Sequence, residues 1–116
     1  MLPSSVRVFL IVEPANMLGS FDSLAGKVRA LGLEPTDGHL YLFLSKRRHM
    51  VKILCFDHTG WCIWQKRLER GSFQIPVIPP GVSRVRMDLA SLSALLEGLD
   101  LRAPRRKWYR QPLNSS

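Results

Sequence analysis

At 116 residues, with 46% hydrophobic side chains and a mean hydropathy of -0.01, the chain holds material for one packed core but not two, and it is too apolar to be disordered throughout. Seventeen lysines and arginines against nine acids give a formal charge of +8, a field that draws polyanions. The longest apolar runs, Val8 to Val12 and Leu40 to Leu44, fall far short of the roughly 20 residues that span a bilayer, and Glu13-Pro14 interrupts the first before any small-residue cleavage site. Neither a membrane span nor a secretory leader is expected, and the expected setting is the cytoplasm.

Val6 to Val12 is β-branched and aromatic and stops at Glu13-Pro14, which predicts a first strand captured by a later sheet. Phe21, Leu24, Ala25, Val28 and Leu31 then recur at helical spacing, with Ser20 as N-cap, Asp22 in the first turn and Gly32 as a stop. Gly26 lowers the propensity of this helix by about 1 kcal/mol, so burial of its apolar face has to hold it. Pro35 to Gly38 signals a turn into His39 to Leu44, where both alternating sets are apolar, as in a strand covered on two faces.

Beyond the basic connection Ser45 to His49, the segments Met50 to Asp57 and Gly60 to Glu69 complete a three-stranded meander. The turn between them sets Phe56 opposite Trp61 and Cys55 opposite Cys62. One face then carries Val51, Ile53, Cys55, Cys62, Trp64 and Leu68 as a core side. The other carries Lys52, Leu54, Phe56, Trp61, Ile63, Gln65 and Arg67, a mixture of aromatics and bases. Two cysteines make no disulfide framework and, without a second ligand pair, no metal site; two buried thiols are expected.

Pro76, Pro79 and Pro80 make Ser72 to Gly81 an extended connection, and Val82 to Met87 a candidate edge strand. Asp88 caps a second helix whose Leu89, Leu92, Leu95, Leu96 and Leu99 form a stripe ending near Gly98. The apolar pattern stops after Leu101. The segment from Arg102, bracketed by Pro104 and Pro112, reads as an extended arm. The organisation expected is a single α+β domain over residues 1–101 and a basic arm over 102–116.

Charge is partitioned along this plan. Leu44 to Arg70 holds Lys46, Arg47, Arg48, Lys52, Lys66, Arg67 and Arg70 against Asp57 and Glu69. Arg102 to Arg110 adds Arg102, Arg105, Arg106, Lys107 and Arg110 with no acid, and interleaves Trp108 and Tyr109. The rest of the chain is net negative. Two such clusters, one carrying aromatics, predict a nucleic-acid partner: the cations for phosphate, Trp108 as an aromatic anchor.

Catalysis is poorly supplied. Asp22, Asp57, Asp88 and Asp100 have cap or turn roles, Glu69 falls across from Arg48, and His39, His49 and His58 lack metal-ligand spacing. No phosphate-binding, dinucleotide-binding or nucleophile-elbow motif occurs, so neither an enzyme nor a cofactor is expected.

The string from Gly38 to Phe73, with its KRLERG at Lys66 to Gly71, and the string LLEGLDLRAPRRKWYR from Leu95 to Arg110 resemble one known family. It is the small accessory protein encoded by the second open reading frame of insertion sequence 66 elements, TnpB in type and unrelated to the RNA-guided nuclease of that name. The resemblance runs from about Val6 to Arg110. It implies a non-catalytic helper in DNA transposition, beside a separate transposase that holds the catalytic acids. Two departures stand out: Asn16 to Gly19 replaces a basic pair ahead of the first helix, and Cys55-Phe56 replaces paired tryptophans. The expected partners are DNA, at the transposon ends, and the cognate transposase, with a homo-oligomer compatible with the chain. The alternative expectation is an adaptor that docks the transposase through its apolar helix face or an edge strand without touching DNA.

Overall fold

The computed structural model describes residues 5–98. Its centre is a five-stranded sheet in the order β4-β3-β2-β1-β5, formed by β1 (Val8–Ile11), β2 (Leu40–Leu44), β3 (Met50–Phe56), β4 (Trp61–Arg67) and β5 (Arg84–Met87). Helix α1 (Phe21–Ala30) bridges β1 and β2, and α2 (Leu89–Leu96) follows β5. The architecture is α+β and mostly antiparallel. One pair is not: β1 runs parallel to β2, with Val8 beside Leu40, because the α1 crossover returns the chain to the end where it started. The meander therefore reaches from the middle of the sheet to one edge, and β1 and β5 fill the other side.

All five residues of β2 are buried, as two-faced apolarity requires of the middle strand. Leu40, Leu42 and Leu44 join Val8, Leu10, Val51, Ile53 and Met87 beneath Leu92 and Leu95 of α2, with Phe73 of the extended connection fully buried among them. On the opposite side Tyr41, Phe43, Leu54 and Ile11 meet Leu24, Ala25 and Val28 of α1. Burying a large apolar side chain contributes about 1.5–3 kcal/mol, so α1 is fastened by three buried residues and α2 by two rather than by propensity. Within the leucine stripe of α2, Leu92 and Leu95 are thus core and Leu96 packs half-buried against it, whereas Leu89 is 44% exposed and Leu99 lies outside the described residues.

The meander register matches the sequence expectation: Phe56 opposes Trp61 and Cys55 opposes Cys62. Both cysteines are free thiols, but Cys55 is half-buried and Cys62 is exposed, which corrects the expectation of two buried thiols. The face read as a mixture of aromatics and bases, with Leu54, Trp61 and Ile63, is covered by α1. Trp64, assigned to the core side, is 49% exposed, since the cluster under α2 takes no residue from β4 and an edge strand has a neighbour on one flank only. Phe21, placed on the apolar face of α1, is 40% exposed at the first position of that helix. Ser20 sits at the N-cap without a side-chain capping bond, whereas Asp88 caps α2 by accepting from the Ser91 amide at 2.7 Å. No helix among the described residues is long and apolar enough to cross a membrane.

Candidate nucleic-acid interface

The β2–β3 connection is closed by the Ser45 amide donating to the Met50 carbonyl at 3.0 Å and the Met50 amide donating to Ser45 Oγ at 3.1 Å. Between them Lys46, Arg47, Arg48 and His49 are all exposed. Arg48 holds φ of 59°, a left-handed conformation that costs a residue with a Cβ roughly 1–2 kcal/mol. Its backbone is a junction: the amide donates to the Ser45 carbonyl at 2.8 Å and the carbonyl accepts from the Phe73 amide at 2.6 Å.

Antiparallel pairing brings the far end of β4 to this same place, with Arg67 beside Met50 and the Leu68 amide donating to the His49 carbonyl at 2.8 Å. Five exposed cations, Lys46, Arg47, Arg48, Arg67 and Arg70, consequently gather at one end of the sheet with Glu69 among them. None of the five is within ion-pair distance of an acid among the described residues; the two ion pairs found there, Lys27 with Glu13 at 3.3 Å and Arg29 with Glu34 at 3.4 Å, belong to α1. The expected opposition of Glu69 and Arg48 makes no ion pair. At the opposite end the strands begin or finish next to Asp37, Asp57 and Asp88, alongside Arg7, Arg86, His39 and His58. The sheet is electrically lopsided along its strands.

Two cations of the expected set have structural partners. Lys52 is only 8% exposed, and its ammonium donates to the Gly19 carbonyl at 2.7 Å, tying β3 to the turn that launches α1. It lies on the face covered by α1 and is not part of the basic end. Lys66 donates to the Leu96 carbonyl at 2.8 Å, where a cation meets the negative end of α2. Arg84 does the same for α1, reaching the Leu31 carbonyl at 3.1 Å, a role that sequence reasoning had not given it. Because Lys66 pairs with Val51, next to the basic connection, the last turn of α2 is held on the basic side of the sheet. Arg102, Arg105, Arg106, Lys107, Trp108 and Arg110 lie outside the described residues, as does the expected boundary at residue 101.

At the acidic end the polar side chains are engaged with one another and with the backbone. His39 Nδ1 accepts from the Arg7 amide at 2.9 Å, and Asp37 accepts from the Tyr41 hydroxyl at 2.7 Å and the His39 amide at 2.8 Å. A cavity of about 460 Å³ beside them is lined by Cys55, Phe56, Asp57 and His58. Burial, then the nearby Cys62 thiol and Asp57 carboxylate, push the Cys55 thiol above its ordinary pKa, away from nucleophilic use. No group of three or more metal-ligating side chains converges among the described residues.

Comparison with known sequences bears on this arrangement. The profile of the family described as IS66 Orf2 like protein matches residues 6–106. The chain belongs to that family. The IS66 Orf2 family is associated with transposition in an accessory capacity, not as a known catalytic family. Two relatives come from Sinorhizobium fredii. The uncharacterized protein y4hO is 38% identical over 111 residues, covering 93% of this chain and 95% of the relative, and the uncharacterized protein y4jC is 27% identical over 108 residues, covering 92% and 91%. No solved structure matches.

Proposed function

We propose that this IS66 Orf2 family member binds DNA at its basic end and with the arm from Arg102 to Arg110, and so helps a separate transposase act on transposon ends. The observation that carries this reading is the collection of Lys46, Arg47, Arg48, Arg67 and Arg70 at one end of the sheet, exposed and without carboxylate partners among the described residues. Folding unites what sequence separates. The bond from Lys66 to Leu96 supports a shared surface with the arm, since it holds the end of α2 on that side, a few residues ahead of the next run of arginines. Arginine forks and lysine ammonium groups would take phosphate oxygens, with Trp108 as the aromatic anchor. Phosphate contacts position a protein without reading bases, so site choice would fall to the arm or the transposase.

Fluorescence polarisation with duplex DNA tests this directly. Five phosphate contacts give a slope of about -4 to -5 for log affinity against log salt. Replacing the five cations with glutamine should remove that share of the slope and weaken binding at physiological salt, leaving what the arm supplies. Salt-independent affinity would overturn the phosphate account. The transposase role has its own assay: removing residues 102–116 should weaken DNA binding while leaving capture of the cognate transposase intact. The reverse pattern would favour the adaptor reading.

A further inference from the structure

The two edges of the sheet are protected very differently. β5 is four residues long, projects Arg84 and Arg86, and is preceded by Pro79-Pro80; short, charged, proline-flanked edges resist pairing with another strand. β4 is seven residues long, has neither proline nor glycine, and pairs with β3 without a bulge from Trp61 to Arg67. Its outer flank meets no strand among the described residues. At its midpoint stands Trp64, 49% exposed.

The hydrogen-bond pattern fixes which backbone groups of β4 are free. Asp57 pairs with Gly60 and Leu68 with His49 through backbone bonds of 3.0 and 2.8 Å. Antiparallel ladders alternate, so Cys62, Trp64 and Lys66 turn their amides and carbonyls toward β3, and Trp61, Ile63, Gln65 and Arg67 turn theirs outward. We infer that this outward flank is a homodimer interface, at which the β4 strands of two copies pair antiparallel about a two-fold axis through Trp64.

Self-pairing over the full strand has one register: Trp61 opposite Arg67 of the second copy, Ile63 opposite Gln65, and Trp64 opposite itself. That register matches outward-facing residues to outward-facing residues. It supplies about eight backbone bonds and leaves the two Trp64 residues as a non-hydrogen-bonded pair, where side chains approach closest. Charge is also complementary. Lys66 falls opposite Cys62 and Arg67 opposite the Trp61 ring, so two highly cationic chains meet with no like charges directly opposed. A perpendicular two-fold continues the sheet across both copies and sends their basic ends in opposite directions.

Sedimentation of the full chain over a roughly hundredfold concentration range tests the interface. The expected mass rises from the 13.2 kDa monomer toward twice that value. Trp64→Lys sets two ammonium groups on the axis and Gln65→Pro removes an outward amide; each should raise the dimer dissociation constant roughly tenfold or more while the far-UV spectrum is kept. If either variant fails to fold, Trp64→Cys in a Cys55→Ser, Cys62→Ser background replaces it. Residues on the axis sit about 4.5 Å apart at Cα, within disulfide reach, so mild oxidation should give a covalent dimer. A monomer at every concentration, or a dimer indifferent to both variants, overturns the inference. So does amide protection at Trp61, Ile63, Gln65 and Arg67 that is independent of concentration, which would assign the edge to the chain's own segment beyond Gly98.

Discussion

Lys52 and Arg48 are two cations in neighbouring positions with opposite duties. Lys52 has its stem in the core and its charge on the Gly19 carbonyl, so Lys52→Met should cost about 1–2 kcal/mol by stranding that acceptor, with DNA affinity unchanged. Denaturant titration beside polarisation checks both halves. Arg48 holds a backbone conformation that glycine adopts freely. Arg48→Gly is expected to raise stability by up to about 1 kcal/mol and weaken DNA binding, the signature of a residue kept for its charge at some expense to the fold. Tyr41 makes a prediction in pH. Burial first, and then its bond to Asp37, raise its phenol well above the ordinary value of 10.0. The folded state thus retains a proton that the unfolded chain releases, and this contribution is complete below pH 10 and lost as pH rises beyond it. Unfolding measured at about pH 8 and about pH 11 should show the decline, and Tyr41→Phe should reduce it.

Among the elements, α1 is the one with room to improve. Gly26 lies in its interior, and a methyl group there meets nothing within 4 Å. Gly26→Ala should therefore stabilise the protein by about 0.5–1 kcal/mol, read as a shift in the thermal midpoint. Where local chemistry determined an element, its position was legible in the sequence. The Asp57 to Gly60 turn dictates that Cys55 faces Cys62, and the two-faced apolarity of Leu40 to Leu44 dictates a middle strand. What sequence could not disclose depends on where helices end in space. Lys66 and Arg84 look like any surface cations until the carbonyls of Leu96 and Leu31 are found in front of them. Trp64 looks like core until its strand proves to be outermost.

Across the whole molecule, the basic clusters were legible as composition, but their union at one end was not, because it follows from pairing Met50 with Arg67. Five like charges at one end repel one another in the absence of a polyanion. Moderate salt should consequently raise the melting temperature of the free protein, and replacing Lys46, Arg47, Arg48, Arg67 and Arg70 with glutamine should remove most of that response, as calorimetry at two ionic strengths would show.

The placement of β1 has a consequence for biosynthesis. Val8 to Ile11 leave the ribosome before the other four strands of the described sheet, yet their two neighbours are β2 and β5, and Val8 pairs with Met87 near the far end of the described residues. A nascent polypeptide can zip β2, β3 and β4 together as each emerges, but one flank of β1 stays open until Arg84 to Met87 have been translated. Pauses in translation between Arg67 and Arg84 would prolong that interval, and a lower yield of folded protein from synonymous variants slowed over this stretch would show it.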